Sequence, residues 1–174
     1  MKLSHRLETL TPGGSDGWEV FYRARQMKTA GEDVIEFTIG EHDIRTDPII
    51  LDAMNDAALG GHTGYAAVPG IAELRQKVAD RVTKNTGVPT GPENVVITPG
   101  GQAALFATHM GILDSGDKAL FIDPFYATYP GTIRGVGGIP VPVPAHAENG
   151  FQPAAADIAA QAKDAKFLLI NTPN

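Results

Sequence analysis

The chain has 174 residues, 43% of them hydrophobic and 20% charged, enough for one domain or one domain with an appendage. Twenty acidic against fourteen basic residues give a net charge of −6, scattered without a tail or patch, which argues against nucleic acid or an anionic membrane as the main partner. The absence of cysteine excludes disulfides, thiolate catalysis and cysteine-ligated zinc; no apolar run approaches the ~20 residues of a membrane span, and the first residues lack the apolar core of a secretory signal, so a cytoplasmic location is expected.

Residues 1–15 read as an arm that ends in Thr11-Pro12-Gly13-Gly14-Ser15. Asp16 is placed to cap a helix through Trp18, Val20, Phe21, Arg25 and Met27, ended by Gly31. Val34 to Ile39 reads as a strand stopped by Gly40. Asp47-Pro48 then opens a helix, because proline suits the first helical position, and Ile50, Leu51, Met54, Ala57 and Ala58 follow helical spacing. A glycine-rich loop covers Leu59 to Pro69. A further helix is expected from Ile71 to Asn85, with Leu74, Val78 and Val82 on one face.

The next stretch carries the chemistry. Asn94-Val95-Val96-Ile97 reads as a strand, Thr98-Pro99-Gly100-Gly101 as a turn, and Gln102 to Leu113 as a helix. The first turn of a helix leaves backbone N–H groups without partners inside it, and its dipole favours negative charge there. Glycines let an anion approach with no Cβ in the way. A phosphate is the natural ligand. No Gly-Lys-Ser/Thr follows, so this is not a Walker loop, and the adjacent glycines do not form the G-x-G-x-x-G dinucleotide fingerprint. Read alone, Gly100-Gly101 is equally a plain tight turn.

Asp114 to Asp117 is a turn and Ala119 to Ile122 a short apolar strand. Tyr126 to Val136 is expected to be helical, and Ile139 to Val143 a strand whose prolines suggest an edge. Phe151-Gln152-Pro153 leads into an alanine-rich helix through Ala162, and Phe167 to Ile170 is a last apolar strand. Strands apolar on both faces that alternate with helices imply a parallel sheet covered on both sides. Because the sequence stops just after a buried strand, it is expected to be the first part of a longer polypeptide.

Four blocks together resemble the N-terminal part of the fold-type I, class I/II aminotransferases that use pyridoxal 5′-phosphate. Ile39-Gly40-Glu41-His42-Asp43 with Asp47-Pro48 is similar to the family's G-E-P-D…T-P segment, with His42 in place of proline. Tyr65, Gly70 and Leu74-Arg75 resemble its Y-x-x-x-x-G-x-x-x-L-R block. Thr98 to Leu105, Gly116-Asp117 and Pro124 to Tyr129 resemble its phosphate turn and stacking-aromatic segment, and Asn171-Thr172-Pro173-Asn174 the start of N-x-P-N-N-P-T-G.

The resemblance implies an α/β fold: a three-layer sandwich with a mainly parallel sheet as the large domain (residues 47–174, stopping mid-domain), preceded by an arm and small-domain segment (residues 1–46). It implies an aminotransferase acting on an amino acid and a 2-oxo acid, with pyridoxal 5′-phosphate as cofactor, in a homodimer with shared sites, and neither nucleic acid nor membrane as partner. Gly100, Gly101 and Gln102 would give backbone N–H groups to the cofactor phosphate, and Tyr126 would stack on its ring. Tyr65 would reach the phosphate of the neighbouring subunit, and Gly40 would meet the substrate carboxylate through its backbone. Leu3, Leu7 and Leu10 of the arm would pack on the partner.

The seven lysines (2, 28, 77, 84, 118, 163 and 166) lack the family's S-x-x-K context and read as exposed helix or turn residues. No catalytic residue is therefore assigned in this chain, and the Schiff-base lysine is expected beyond Asn174, as are the pyridinium aspartate and the carboxylate arginine. Bland readings stand beside the sharp ones: Tyr126 as core packing, Tyr65 as a surface aromatic, Gly40 as a strand terminator. The five histidines show no metal-ligand spacing. Other readings are a lyase, decarboxylase or α-oxoamine synthase of the same fold, a regulator carrying such a domain as a ligand sensor, and an unrelated α/β phosphate-binding protein.

Overall fold

The computed structural model describes residues 2–12 and 18–173; Asp16, the expected helix cap, and Asn174, of the asparagine motif, lie outside the described residues. The chain divides into two compact units, one of Met1–Val34 with Gly100–Asn174, the other of Ile35–Pro99.

The first unit begins with a short helix α1 (His5–Glu8) and the helix α2 (Trp18–Thr29). Gly31, at φ +83°, follows α2 in the left-handed region where glycine is at ease. Its centre is a parallel sheet of β1 (Lys118–Asp123), β2 (Ile139–Pro144) and β3 (Ala165–Leu169) in the order β2-β1-β3. Helices α5 (Gly101–Ile112), α6 (Tyr129–Gly135) and α7 (Ala155–Ala162) accompany these strands. The α/β architecture with a parallel sheet thus stands as the alternation of strands and helices implied.

Period-two alternation sorts the sheet's side chains. Ala119 and Phe121 face the same side as their register partners Phe167 and Leu169. There they join Leu113, Tyr129, Ile133 and Val136, from the end of α5 and from α6, in one apolar core. Leu120 and Val143 are buried as well, so the strands are dry on both faces. Burying an aliphatic side chain of this kind is worth about 1.5–3 kcal/mol.

The prolines of β2 sit at alternate positions, 140, 142 and 144. The flanking odd-numbered residues make the bonds to β1's side: Ile139 N donates to Asp117 O at 2.8 Å and Ala145 N to Asp123 O at 2.7 Å. Each proline nitrogen therefore points away from β1, to the side of β2 on which no strand pairs among the described residues.

The second unit carries α3 (Pro48–Leu59) and α4 (Ala72–Thr86). Asp47 caps α3 by accepting from Ile49 N at 3.0 Å, with proline in the first turn. Gly87, at φ +73°, closes α4, and its N–H bonds back to Thr83 O.

Two expected strands are absent. Val34–Ile39, with a bend at Thr38, and Asn94–Ile97, whose first residue ends the 3-10 turn Pro92–Asn94, belong to no ladder among the described residues. Both are rich in β-branched residues, Val34, Ile35, Thr38 and Ile39 in one and Val95, Val96 and Ile97 in the other, yet a strand exists only through its pairing, and pairing is not written in local sequence. Residues 95–97 are held instead by other means. Arg75 Nε donates to Val95 O at 3.0 Å, Arg75 Nη2 donates to Pro92 O, and Ile97 N donates to Pro69 O at 2.9 Å. Gly70, at φ +103°, lies so close to this segment that a Cβ there would stand 2.6 Å from Ile97 Cγ1. The helix expected from Tyr126 starts later, at Tyr129, after an irregular loop 124–128.

The three leucines of the arm differ in their surroundings. Leu10 is half-buried against α6 of its own chain, where Arg134 Nη1 donates to Leu10 O at 3.2 Å. Leu3 and Leu7 remain exposed.

Candidate active site

Three chain segments meet at the carboxyl end of the sheet in the first unit. Loop 124–128 leaves β1, the chain from Ile170 to Pro173 leaves the neighbouring β3, and α5 presents its N-terminus. In α/β sheets this edge is where ligands bind.

Gly100 is the N-cap of α5 at φ +86°, ψ 166°, a conformation that disfavours any residue with a Cβ. A Cβ built on Gly100 or on Gly101 would meet nothing within 4 Å. The space in front of the helix is open, and the first-turn N–H groups have no partner inside the helix. This is a cradle that side chains would fill and an anion can enter.

The Gln102 side chain ties the cradle to the next loop. Thr128 Oγ1 donates to Gln102 Oε1 at 2.8 Å, Gln102 Nε2 donates to Thr132 Oγ1, and Thr132 Oγ1 donates to Thr128 O at 2.8 Å. Thr128 caps α6 by position, but its hydroxyl serves Gln102 rather than the helix. The sequence suggested only a backbone role for Gln102. The spacing of Thr128 and Thr132, one helical turn apart, was the available signal for this network.

Tyr126 sits in the loop so anchored. It is 61% exposed and outside the apolar core, which removes the core-packing reading. Its ring centroid is 5.9 Å from that of Tyr129. Tyr129 by contrast is buried, and burial, with Tyr126 adding a smaller charge effect, holds its phenol above the usual tyrosine range. Asn171 and Pro124 line a cavity of about 750 Å³ at the ends of β1 and β3.

The structure therefore brings Gly100, Gly101, Gln102 and Tyr126 to one end of the first unit. Tyr65 and Gly40 belong to the second unit. Tyr65 is fully exposed after the turn that ends α3, and Gly40 lies in irregular chain with open space before it.

Two lysines are not the helix or turn residues expected. Lys118 starts β1 and Lys166 lies at the start of β3, at the amino end of the sheet, opposite the cradle. Lys166 Nζ is 2.8 Å from Asp117 Oδ2 and 3.4 Å from Asp114 Oδ2. The hydrogen bond from Lys166, with a second from Asp114 N, lowers the Asp117 carboxyl, and the Lys166 amine is raised in turn by Asp117. This ion pair joins β3 to the turn before β1 and takes no part in the cradle. His109 of α5 is fully buried, with neither ring nitrogen hydrogen-bonded, and lies edge-on to Phe167 at 5.1 Å. Burial lowers its pKa, which favours the neutral ring. Among the described residues no group of three or more metal-binding side chains converges.

A profile of the aminotransferase class I and II family matches residues 32–174. The chain belongs to this family. It is 37% identical to a probable aspartate/prephenate aminotransferase of Aquifex aeolicus, over 99% of this chain and 43% of that one. Identity to an arginine–pyruvate transaminase of Pseudomonas aeruginosa is 33%, over 100% of this chain and 44% of the relative. The aspartate aminotransferase of Thermus thermophilus with maleate superposes with a TM-score of 0.92 at 33% identity, covering 100% of this chain and 45% of that one. The chain thus spans less than half the length of these relatives.

Proposed function

We propose that the complete protein is a pyridoxal 5′-phosphate-dependent aminotransferase, moving an amino group between an amino acid and a 2-oxo acid. The observation that carries this reading is the open glycine cradle at the start of α5, tied through Gln102 to the loop bearing Tyr126, in a chain of the aminotransferase family. The donor set fits the cofactor. Gly100, Gly101 and Gln102 present N–H groups to a phosphate at a helix N-terminus, where each favourable charge contact is worth roughly 0.3–1 kcal/mol. Tyr126 offers an aromatic face, worth about 0.5–1.5 kcal/mol beyond burial. When bound, the cofactor supplies an electron sink for proton removal from the amino acid's α-carbon.

The chain's own residues bind and orient. Gln102 holds the stacking loop against the cradle, so the phosphate and ring sites keep one spacing. Tyr65 is assigned to the phosphate of a neighbouring subunit and Gly40 to the substrate carboxylate, which makes the active form a homodimer with shared sites. Residues 1–46 are assigned to the arm and small domain, and residues 47–174 to the large cofactor-binding domain. No lysine is assigned to the chemistry, since Lys118 and Lys166 lie at the wrong end of the sheet and Lys166 is ion-paired. A cytoplasmic location goes with this reading; no described helix is long and apolar enough to cross a membrane.

The test is titration of the complete protein with pyridoxal 5′-phosphate, followed by an assay of amino-group transfer to a 2-oxo acid. The expected result is saturable cofactor binding, weakened at least tenfold by Gly100→Asp, together with transfer. Release of ammonia without a new amino acid would assign a lyase instead. Absence of cofactor binding would refute the reading.

A further inference from the structure

Resting on the reading just given, we infer that Thr132 is a positioning residue: its buried hydroxyl fixes the Gln102 amide and, through it, the loop that carries Tyr126, so that the ring site and the phosphate cradle stay in register.

Thr132 is 5% exposed. Thr128, Thr132 and Gly135 follow one another at spacings of four and three and share one face of α6, as Gln102 and Phe106 do on α5. These faces meet. A Cβ on Gly135 would stand 3.4 Å from Phe106 Cε2, and one turn earlier Thr132 meets Gln102. Valine has the shape of threonine, so packing alone asks for no hydroxyl at position 132. A buried hydroxyl is costly unless it is bonded, and this one is bonded twice.

Those bonds leave the amide one orientation. The Thr128 carbonyl can only accept; it takes the Thr132 N–H at 2.9 Å and the Thr132 hydroxyl at 2.8 Å. With its single proton spent there, Thr132 Oγ1 can only accept from Gln102, so the amide nitrogen must face it. Gln102 Oε1 then faces Thr128 Oγ1, which donates to it. Without the Thr132 hydroxyl, Nε2 loses this acceptor, the amide is free to turn, and Thr128 loses its partner. Thr128 ends the loop 124–128, two residues from Tyr126, whose exposed ring takes no part in the apolar core. Gln102 is the second residue of α5, next to Gly101, so a bond to its side chain holds the loop to the cradle itself.

The experiment compares the complete protein with its Thr132→Val and Thr132→Ser forms. Affinity for pyridoxal 5′-phosphate is titrated by absorbance, and affinity of the unloaded protein for inorganic phosphate by calorimetry. Phosphate reads the cradle alone, because backbone N–H groups hold it, whereas the cofactor reads cradle and ring site together. Thr132→Val is expected to weaken the cofactor at least fivefold, to leave phosphate within twofold and to reduce the visible circular dichroism of the bound cofactor. Thr132→Ser, which keeps the hydroxyl, is expected to restore all three. Hydrogen exchange of the unloaded protein is expected to be at least fivefold faster at the amides of residues 125–128 in Thr132→Val. Should that variant not fold, Thr128→Val breaks the same tie from the loop side and is expected to show the same pattern. Equal losses of cofactor and phosphate would reduce Thr132 to a structural role and overturn the inference, as would variants that behave like the parent. A parent that ignores the cofactor while Thr132→Val still loosens the loop loses the aminotransferase reading and keeps the tie. A parent that binds the cofactor and is unaffected by Thr132→Val loses the positioning role alone.

Discussion

Gly70→Ala should be among the most damaging single-methyl additions available in the second unit. The new Cβ would stand 2.6 Å from Ile97 Cγ1 and 2.8 Å from Ile97 Cβ, where carbon pairs normally rest about 3.5–4.0 Å apart. Roughly 1 Å of movement is required. Ile97 cannot give way freely, because its N–H is bonded to Pro69 O, one residue from the clash. Overpacking of this kind costs about 1–3 kcal/mol. The backbone adds its own strain, since φ is +103° at Gly70, about 1–3 kcal/mol for a residue with a Cβ. The total, about 2–6 kcal/mol, is comparable with the ~5–15 kcal/mol stability of a whole domain. Urea unfolding followed by circular dichroism measures it. The double variant Gly70→Ala/Ile97→Ala removes the Cγ1 contact but leaves the Cβ contact and the strained φ, so a coupling of about 1 kcal/mol is expected. A Gly70→Ala protein within about 0.5 kcal/mol of the parent, with no coupling to Ile97, would refute the reasoning.

Arg75→Met should destabilise by about 1.5–3 kcal/mol, because the carbonyls of Val95 and Pro92 lose a charged donor; a chemical-unfolding midpoint unchanged from the parent would contradict this. His109→Leu should raise stability or leave it level at neutral pH, since it removes two buried ring nitrogens without partners. Burial lowers the folded-state pKa of His109, so the unfolded chain binds the proton more readily. The penalty therefore begins as pH falls through the unfolded value near 6.5 and grows towards the lowered folded value, and His109→Leu should flatten this part of the melting-temperature profile. The Asp117 carboxyl is lowered by Lys166 and by Asp114 N, so its contribution is present above 3.8 and is lost as pH falls through the lower folded value. Lys166 is raised, so its contribution is present below 10.5 and fades as pH rises through the higher folded value. Lys166→Met should blunt both limbs, and a pH–stability curve unaltered by it would count against the pair.

The starts of α3 and α5 were legible because their causes are local. Asp47-Pro48 caps and opens α3 with its own side chain and ring, and Gly100 ends one conformation and begins another wherever the rest of the chain goes. The apolar run of β1 and the alternating prolines of β2 were legible for the same reason: they state which groups need water and which lack a donor. The cradle of Gly100, Gly101 and Gln102 was visible as a glycine turn, but its use depended on the company it kept.

What local sequence does not contain is the identity of distant partners. Val34–Ile39 and residues 95–97 have strand-like composition, yet whether they join a ladder depends on another segment arriving alongside, and none does among the described residues. The tie from Gln102 to Thr128 and Thr132 spans 26 and 30 residues, and that from Arg75 to Val95 spans 20. The burial of His109 against Phe167 joins residues 58 positions apart. Composition and periodicity decided where α3 begins and that β1 is dry on both faces, because backbone dihedrals and side-chain solvation act over a few residues. Tertiary structure alone decided which hydroxyls hold Gln102 and which carbonyls hold Arg75, because those contacts exist only once the chain has closed on itself.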